Sequence, residues 1–131
     1  FAALAEVQWK KLKGQPLVLL DQTSGSRRLI DRQLAALRID PDVAQQAGHT
    51  LTAFRMVEAG LGVSITPQLS LPAAGALVAR PLVPVVQRAV TLIRRRHRSL
   101  SPVAALVWER IRDTAATLAP APDTRRKITP R

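Results

Sequence analysis

A helix, a glycine break, a strand and a proline stop follow one another within the sixteen residues TAFRMVEAGLGVSITP, from Thr52 to Pro67. We expect a helix over residues 51–59 that buries Leu51, Phe54 and Val57 on one side, because these apolar residues recur at nearly helical spacing. A strand that follows a helix so closely must return beside it. The stretch therefore favours a sheet with helices packed against it.

Two glycines and a proline set the geometry of this stretch. Gly60 can adopt the left-handed conformation that closes a helix, and Gly62 permits a close passage of helix and sheet. The strand expected over residues 62–66 ends at Pro67, because proline lacks the amide hydrogen of a strand ladder. The switch thus needs no catalytic residue to explain it.

Strand and helix patterns alternate along the rest of the chain. The apolar run QPLVLLDQ, residues 15–22, is typical of a strand buried on both faces, and we expect it in the same sheet as GVSIT. Further strands are predicted over residues 43–47, 76–82 and 88–96, and a further helix over residues 27–37. This alternation indicates an α/β fold with a mostly parallel sheet.

Two helices carry clear local signals. The helix over residues 27–37 can pair Asp31 with Arg27 or Arg28 on its surface. Its apolar face is formed by Ile30, Leu34 and Leu37. The last helix has Ser101 as a favourable N-cap and Pro102 at its first position. Its apolar side is formed by Val103, Leu106, Val107, Ile111 and Leu118.

Length and residue content exclude several classes of protein. A chain of 131 residues predicts one domain, and the absence of cysteine excludes disulfides and thiolate metal sites. No apolar run reaches the roughly 18 residues of a membrane span, and we expect no signal peptide because no basic region precedes an apolar stretch at the start of the sequence. No cluster has metal-ligand spacing, and Ser64 lies in a predicted strand rather than on a nucleophile elbow. We therefore expect no membrane association, metal, cofactor or enzyme activity.

The positive charge is concentrated in one segment and the tail. Of the net charge of +11, residues 88–98 contribute five arginines, and the Pro-rich segment 120–131 is expected to be a basic flexible tail. The chain has only two Trp and two Phe, so no aromatic platform is available for stacking bases. The run RRRHR, Arg94–Arg98, could contact phosphates. Charges in a loop after a strand are, however, ordinarily solvated.

Two helix starts could hold a ligand. The turn TSGS, Thr23–Ser26, could bind an anion with its amides and hydroxyls, or Ser24 or Ser26 could simply cap the following helix. It is not a P-loop, because the Gly-Lys-Ser/Thr ending is missing. Thr50 and Thr52 have the same two interpretations at the next helix. Ligands of open α/β sheets bind near such strand ends, so all these residues lie on a plausible ligand rim.

Three segments, in order, resemble the effector-binding domain of LysR-type transcriptional regulators. MVEAGLGVSITP is similar to a signature of that domain, and VQWKKLKGQPLVLL is similar to its entry into the second effector subdomain. The segment LVARPLVPVVQRAVTLIRRRHRSLSPVAALVWERI is similar to the return into the first subdomain. The resemblance covers residues 7–118. It implies a fold like that of type II periplasmic binding proteins, in which two α/β subdomains flank a cleft for a small, often anionic, effector.

The same resemblance implies how the chain is divided. It gives an incoming linker over residues 1–14, the second effector subdomain over 15–84, a returning strand and helix over 85–119, and the tail over 120–131. Full members carry an N-terminal winged helix-turn-helix that binds DNA, and nothing in this sequence resembles it. We therefore expect the C-terminal part of a cytoplasmic, homo-oligomeric regulator that contacts DNA only through that other domain.

The resemblance also indicates which residues face the cleft. The position of Thr52 before MVEAGLG matches a threonine that often faces the effector in the family. We expect this chain's side of the cleft to consist of Ser24, Gly25, Ser26, Thr50, Thr52 and Thr66. Two other functions stay open at this point: a solute-binding protein of a transport system, and a small basic nucleic-acid-binding protein.

Overall fold

The structure, a computed structural model, describes residues 1–72, 75–97 and 99–118. The predicted tail over residues 120–131 lies outside the described residues. The chain forms two compact units, the first spanning Phe1–Val90 and the second beginning at Thr91.

The first unit is built on a parallel three-stranded sheet. Its strands, in spatial order, are β3 (Asp42–Ala47), β2 (Pro16–Leu20) and β4 (Val63–Ser64), with α1 (Gly25–Ala36) and α2 (Thr50–Glu58) as the connections between them. The predicted strands QPLVLLDQ and GVSIT do lie side by side, since Val18 pairs with Ser64. The expected α/β fold with a parallel sheet is therefore present.

The central strand β2 contributes to two separate cores because its side chains alternate between the faces of the sheet. Leu17 and Leu19 pack on one face in a cluster with Ile30 and Leu34 of α1. Val18 packs on the other face with Ala47 and Ala53, the latter in α2. The two helices therefore cover opposite faces of the sheet, and β2 is buried on both sides as its continuous apolar run predicts.

Gly62 lies close against the backbone of the neighbouring strand β2. Its φ is +149°, and a Cβ at this position would lie 2.2 Å from the carbonyl oxygen of Pro16 in β2. Only glycine fits such a contact. The close passage expected at Gly62 is thus with the first residue of the neighbouring strand.

A second, two-stranded sheet joins the start of the first unit to its end. Strand β1 (Val7–Gln8) pairs in parallel with β5 (Leu82–Val83). The 3₁₀ turn Trp9–Leu12 follows β1, and the indole Nε1 of Trp9 donates to the carbonyl of Pro84 at 2.9 Å. Trp9 and Leu12 are both buried in the larger core cluster, so residues within 1–14 pack into the unit.

Three expectations about local structure are wrong. Residues 76–81 and 88–96 are not strands; only Leu82–Val83 at the end of the first predicted segment is extended and paired. A strand needs a neighbour for its hydrogen bonds, and no strand among the described residues pairs with these segments. Leu51 is 66% exposed rather than buried, because α2 faces the sheet with Ala53 and Phe54 instead.

The second unit contains the last helix, α3 (Pro102–Leu118). Ser101 caps it as predicted, with its Oγ accepting from the amide of Ala104 at 3.3 Å. The five apolar residues predicted for one side of this helix are between 45% and 73% exposed. No helix in the described ranges is long and apolar enough to cross a membrane.

Candidate functional site at the carboxyl edge of the sheet

The carboxyl edge of the sheet brings the predicted site residues into one region. All three strands run in the same direction, so the segments that follow them emerge at one edge. The TSGS turn follows β2, Thr50 and Thr52 begin α2 after β3, and Thr66 lies two residues beyond β4. Neighbouring strands are about 4.8 Å apart, which keeps these three segments close together.

The topology adds a reason for a ligand at this edge. The chain passes from β2 to its neighbour β3 through α1, then crosses to the opposite side of β2 through α2 to form β4. Since α1 and α2 cover opposite faces, the order of the strands reverses between β2 and β4, and ligands of open α/β sheets bind at such a switch point. The TSGS turn and Thr66 therefore lie on the two sides of this switch point.

The TSGS turn caps α1 and still presents free donors. The Oγ of Ser24 accepts from the amide of Ser26 at 3.2 Å, so the interpretation as a capped turn is correct. The amides of Gly25 and Arg27 have no acceptor within the described ranges. Capping and anion binding are therefore compatible here, because a helix start has more amides than one cap can satisfy.

The start of α2 differs from the interpretation of its threonines as helix caps. The N-cap residue is His49, which makes no capping side-chain bond, and Thr50 and Thr52 are the first and third helical residues. The amides of Thr50, Leu51 and Thr52 have no acceptor among the residues described. Thr52 is exposed, so its hydroxyl and amide are both open to a ligand.

Thr66 supplies an unsatisfied polar atom at the same edge. Its Oγ1 is buried, and it has no hydrogen-bond partner in the part of the chain that the structure describes. A buried hydroxyl without a partner is unfavourable, so an observed one calls for an explanation such as a bound group.

Asp21 is a polar residue of this edge that sequence reasoning missed. Its Oδ1 accepts from both the amide (3.0 Å) and the hydroxyl (2.5 Å) of Thr23. The hydroxyl bond is the main cause that lowers the pKa of Asp21 below its usual value, aided by the Ser24 amide and the charge of His49 and opposed by desolvation. A Cβ at Gly48 would lie 3.7 Å from the same carboxylate, so Asp21 joins the starts of the two helices.

Arg88 also went unnoticed, because it lies far from the turn in sequence. Its Nη1 donates to the Oγ of Ser26 at 2.8 Å, and Ser26 is only 7% exposed. Arg28 contacts the turn from the other side, with its Nη1 donating to the carbonyl of Thr23 at 3.0 Å. The guanidinium groups of Arg28 and Arg88 therefore lie at the positive end of the α1 dipole. The first turn of α1 contains no acidic residue that would offset their charge.

The residues of this edge are suited to binding rather than to metal chemistry. Within the described residues, no group of three His, Cys, Asp or Glu side chains could hold a metal ion. The edge offers free amides, hydroxyls and guanidinium groups, which are donors suited to carboxylate or phosphate oxygens.

Comparisons with known proteins agree on one family. Residues 1–116 match the LysR substrate binding domain. The chain is 46% identical over 114 residues to the uncharacterized HTH-type transcriptional regulator YfeR of Shigella flexneri, covering 86% of this chain and 37% of the relative. It is 39% identical over 101 residues to the uncharacterized HTH-type transcriptional regulator YbhD of Escherichia coli, covering 75% of this chain and 32% of the relative. The chain thus spans about a third of each relative's length.

A solved structure supports the fold. The crystal structure of HinK, a LysR family transcriptional regulator from Pseudomonas aeruginosa, matches with a TM-score of 0.64 and 24% identity. The match covers 91% of this chain and 42% of that chain. The periplasmic-binding-protein-like α/β fold predicted from the sequence is confirmed, and the chain belongs to the LysR substrate-binding domain family.

Proposed function

We propose that this chain is the effector-sensing part of a LysR-type transcriptional regulator, and that it binds a small anionic effector at the carboxyl edge of the sheet. The observation that carries the proposal is that two helix starts with free amides share one edge of the sheet, with Arg28 and Arg88 at the first of them. The names of the relatives favour a regulator over a transport protein. Regulation would require a winged helix-turn-helix that binds DNA, a homo-oligomer and a cytoplasmic location.

The electrostatics of α1 support an anionic effector. Arg27 is compensated by Asp31, which it contacts through Nε at 2.8 Å. Neither Arg28 nor Arg88 has a carboxylate within ion-pair distance among the described residues. Cations at a helix N-terminus are repelled by the positive end of the helix dipole. An anion bound between the arginines and the helix N-terminus is attracted by both.

The six predicted residues take different roles in this proposal. Gly25, Thr50 and Thr52 offer donors to the effector, and Thr66 offers its unpartnered hydroxyl. Ser24 maintains the turn as an N-cap, and Ser26 positions Arg88 instead of contacting the effector directly. An effector that binds one arrangement of the subdomains better than another would shift their populations and bias the attached DNA-binding domains.

The division of the chain is part of the same proposal. Residues 15–84 form the second effector subdomain, residues 1–14 lead into it, and residues 85–119 return to the first subdomain. Effector binding requires the other wall of the cleft, which the first subdomain supplies.

The test uses the full-length regulator. Small mono- and dicarboxylates are screened by thermal shift, and the best ligand is titrated by calorimetry into wild type and Thr52→Val. We expect about a ten- to hundred-fold loss of affinity, because a hydrogen bond to a charged group contributes about 1.5–3 kcal/mol. The unliganded melting temperature should stay unchanged, since the Thr52 side chain is exposed.

Thr114→Val is the matched control. It removes a threonine hydroxyl from α3, where Oγ1 donates to the carbonyl of Arg110. We expect it to leave the affinity unchanged. Equal affinities for wild type and Thr52→Val would contradict the proposed site, and the absence of any anionic ligand would contradict the proposed ligand class.

A further inference from the structure

The second unit carries a basic surface that the proposed effector site does not use. Arg94, Arg95, Arg96, His97 and Ser99 line an open cavity of about 550 Å³ just before α3. We call these five residues the basic surface. Its residues from Arg94 to His97 are all exposed. The sequence alone is compatible with an ordinary solvated turn, but the structure places these side chains around one common space.

The basic surface is not compensated by acidic groups in its surroundings. No carboxylate of the described residues lies within ion-pair distance of its three arginines. Glu109, one of the two acids of α3, is paired with Arg112 of the same helix at 3.1 Å. The guanidinium carbon of Arg94 lies 5.5 Å from the centroid of the Trp108 ring, which holds this cation in place at the edge of the cavity.

The chemistry of the surface selects the kind of partner. Arginine forks bind phosphate oxygens in two parallel hydrogen bonds, and several adjacent ones suit a chain of phosphates. The residues that form the basic surface include no Trp, Tyr or Phe on which bases could stack, so the surface is better suited to a duplex than to a single strand. Contacts with the backbone alone carry no sequence information.

A membrane surface fits less well. Membrane-binding helices combine an apolar side with a strongly cationic polar side. The charges of α3 instead balance, with Glu109 and Asp113 against Arg110 and Arg112. The cations of the basic surface lie in the segment before the helix rather than along a polar side of it.

We propose that the basic surface binds the phosphate backbone of duplex DNA without sequence specificity, as a contact additional to that of a DNA-binding domain. The choice of duplex DNA as partner rests on the proposed regulatory function. The surface would then hold the sensing unit against DNA that flanks a specific site, since phosphate contacts position a protein without reading sequence.

The experiment measures binding of the full 131-residue chain to fluorescent duplexes of about 20 bp with two unrelated sequences, between about 50 and 200 mM salt. The test variant combines Arg94→Gln, Arg95→Gln and Arg96→Gln. Each lost phosphate contact flattens the dependence of log K on log salt by about 0.9, so the slope should fall by nearly three. We expect the affinity at the lowest salt to fall at least about ten-fold, equally for both sequences.

A charge-matched control distinguishes binding at the basic surface from attraction of DNA to the net charge of the chain. Lys10→Gln, Lys11→Gln and Lys13→Gln remove the same charge from exposed positions in the first unit. This control should retain most of the affinity and the slope. Equal losses in both triple variants would show attraction to the total charge only, and would overturn the proposal.

A second variant guards against misfolding. Replacing the same three arginines by lysine keeps the charge, so the salt slope should stay close to wild type while the affinity falls modestly with the loss of bidentate contacts. Tighter binding to phosphatidylglycerol vesicles than to DNA would identify a membrane partner and overturn the proposal, as would no binding of wild type to DNA. Effector affinity is unaffected by these changes under the proposed function, so the two proposals can fail separately.

Discussion

Arg88 donates a 2.8 Å hydrogen bond from its Nη1 to the Oγ of Ser26, which lies 62 positions earlier at the start of α1. The bond fixes a cation where the helix dipole is positive, so the local electrostatics oppose it unless an anion is present. The relationship links the segment that leaves the first unit to the predicted effector edge. It also makes Ser26 a positioning residue.

The strength of this link can be measured by a double-mutant cycle of Ser26→Ala and Arg88→Met. We expect a coupling free energy of about 0.5–1 kcal/mol from urea unfolding, because the bond is charged but Arg88 is exposed. The control cycle combines Ser26→Ala with Arg32→Met. Arg32 is an exposed arginine of α1, the helix that contains Ser26. Additivity in both cycles would contradict a stabilising bond.

Gly62→Ala should destabilise the first unit strongly. The new Cβ would overlap the Pro16 carbonyl, which belongs to the backbone of β2 and cannot move without breaking the sheet. Overpacking and the positive φ together predict a loss of about 3 kcal/mol or more. Gly60→Ala is the control: φ is +80° there, but nothing lies within 4 Å. Its cost should be only about 1–2 kcal/mol, and equal urea midpoints for the two variants would refute the argument.

Asp31→Asn should lower the free energy of unfolding by more than the removal of an exposed ion pair does. The side chain of Arg27 is 6% exposed, and its Nε contacts both carboxylate oxygens of Asp31. Leaving this buried cation without its anion predicts a loss of about 1–2 kcal/mol. Glu109→Gln breaks the exposed pair with Arg112 and should cost under about 0.5 kcal/mol. Equal unfolding free energies for the two variants would argue against a role for burial.

The lowered pKa of Asp21 predicts a stabilising contribution with a defined pH range. Because the folded pKa lies below the unfolded value of 3.8, the contribution is present above that value and is lost as the pH falls through the folded pKa. Thr23→Val removes the main hydrogen bond, so it should raise the Asp21 pKa toward its usual value in a carboxyl NMR titration. An unchanged titration curve would show that the Thr23 hydroxyl is not the cause.

Local patterns predicted the fold well where a residue's role depends on its neighbours in sequence. The continuous apolar run of β2, the cap at Ser24 and the left-handed Gly60 all follow from local chemistry. Strand formation over residues 88–96 was wrong, because pairing depends on a partner that no local pattern reveals. The same limit applies to the site: the helix starts were found, whereas Arg88 could not be assigned to Ser26 from sequence. Asp21 carried a weak signal, an acid directly after a buried strand and two residues before a threonine.

The exposed side of α3 predicts self-association of the chain. Val103, Leu106, Val107, Ile111 and Leu118 remain 45–73% exposed, and contiguous apolar surface of this kind favours association. In sedimentation velocity we expect the average mass to rise with concentration.

Leu106→Arg should weaken the association at least about ten-fold, which corresponds to about 1.4 kcal/mol. Because Leu106 is 67% exposed, the change should leave helix content intact. Ala116→Arg introduces the same charge opposite Val107, which lies near the centre of the apolar side, about two and a half turns away along the helix, and should leave the association unchanged. A wild-type chain that stays monomeric at all concentrations, or an equal effect of the two arginines, would contradict an apolar interface on this side.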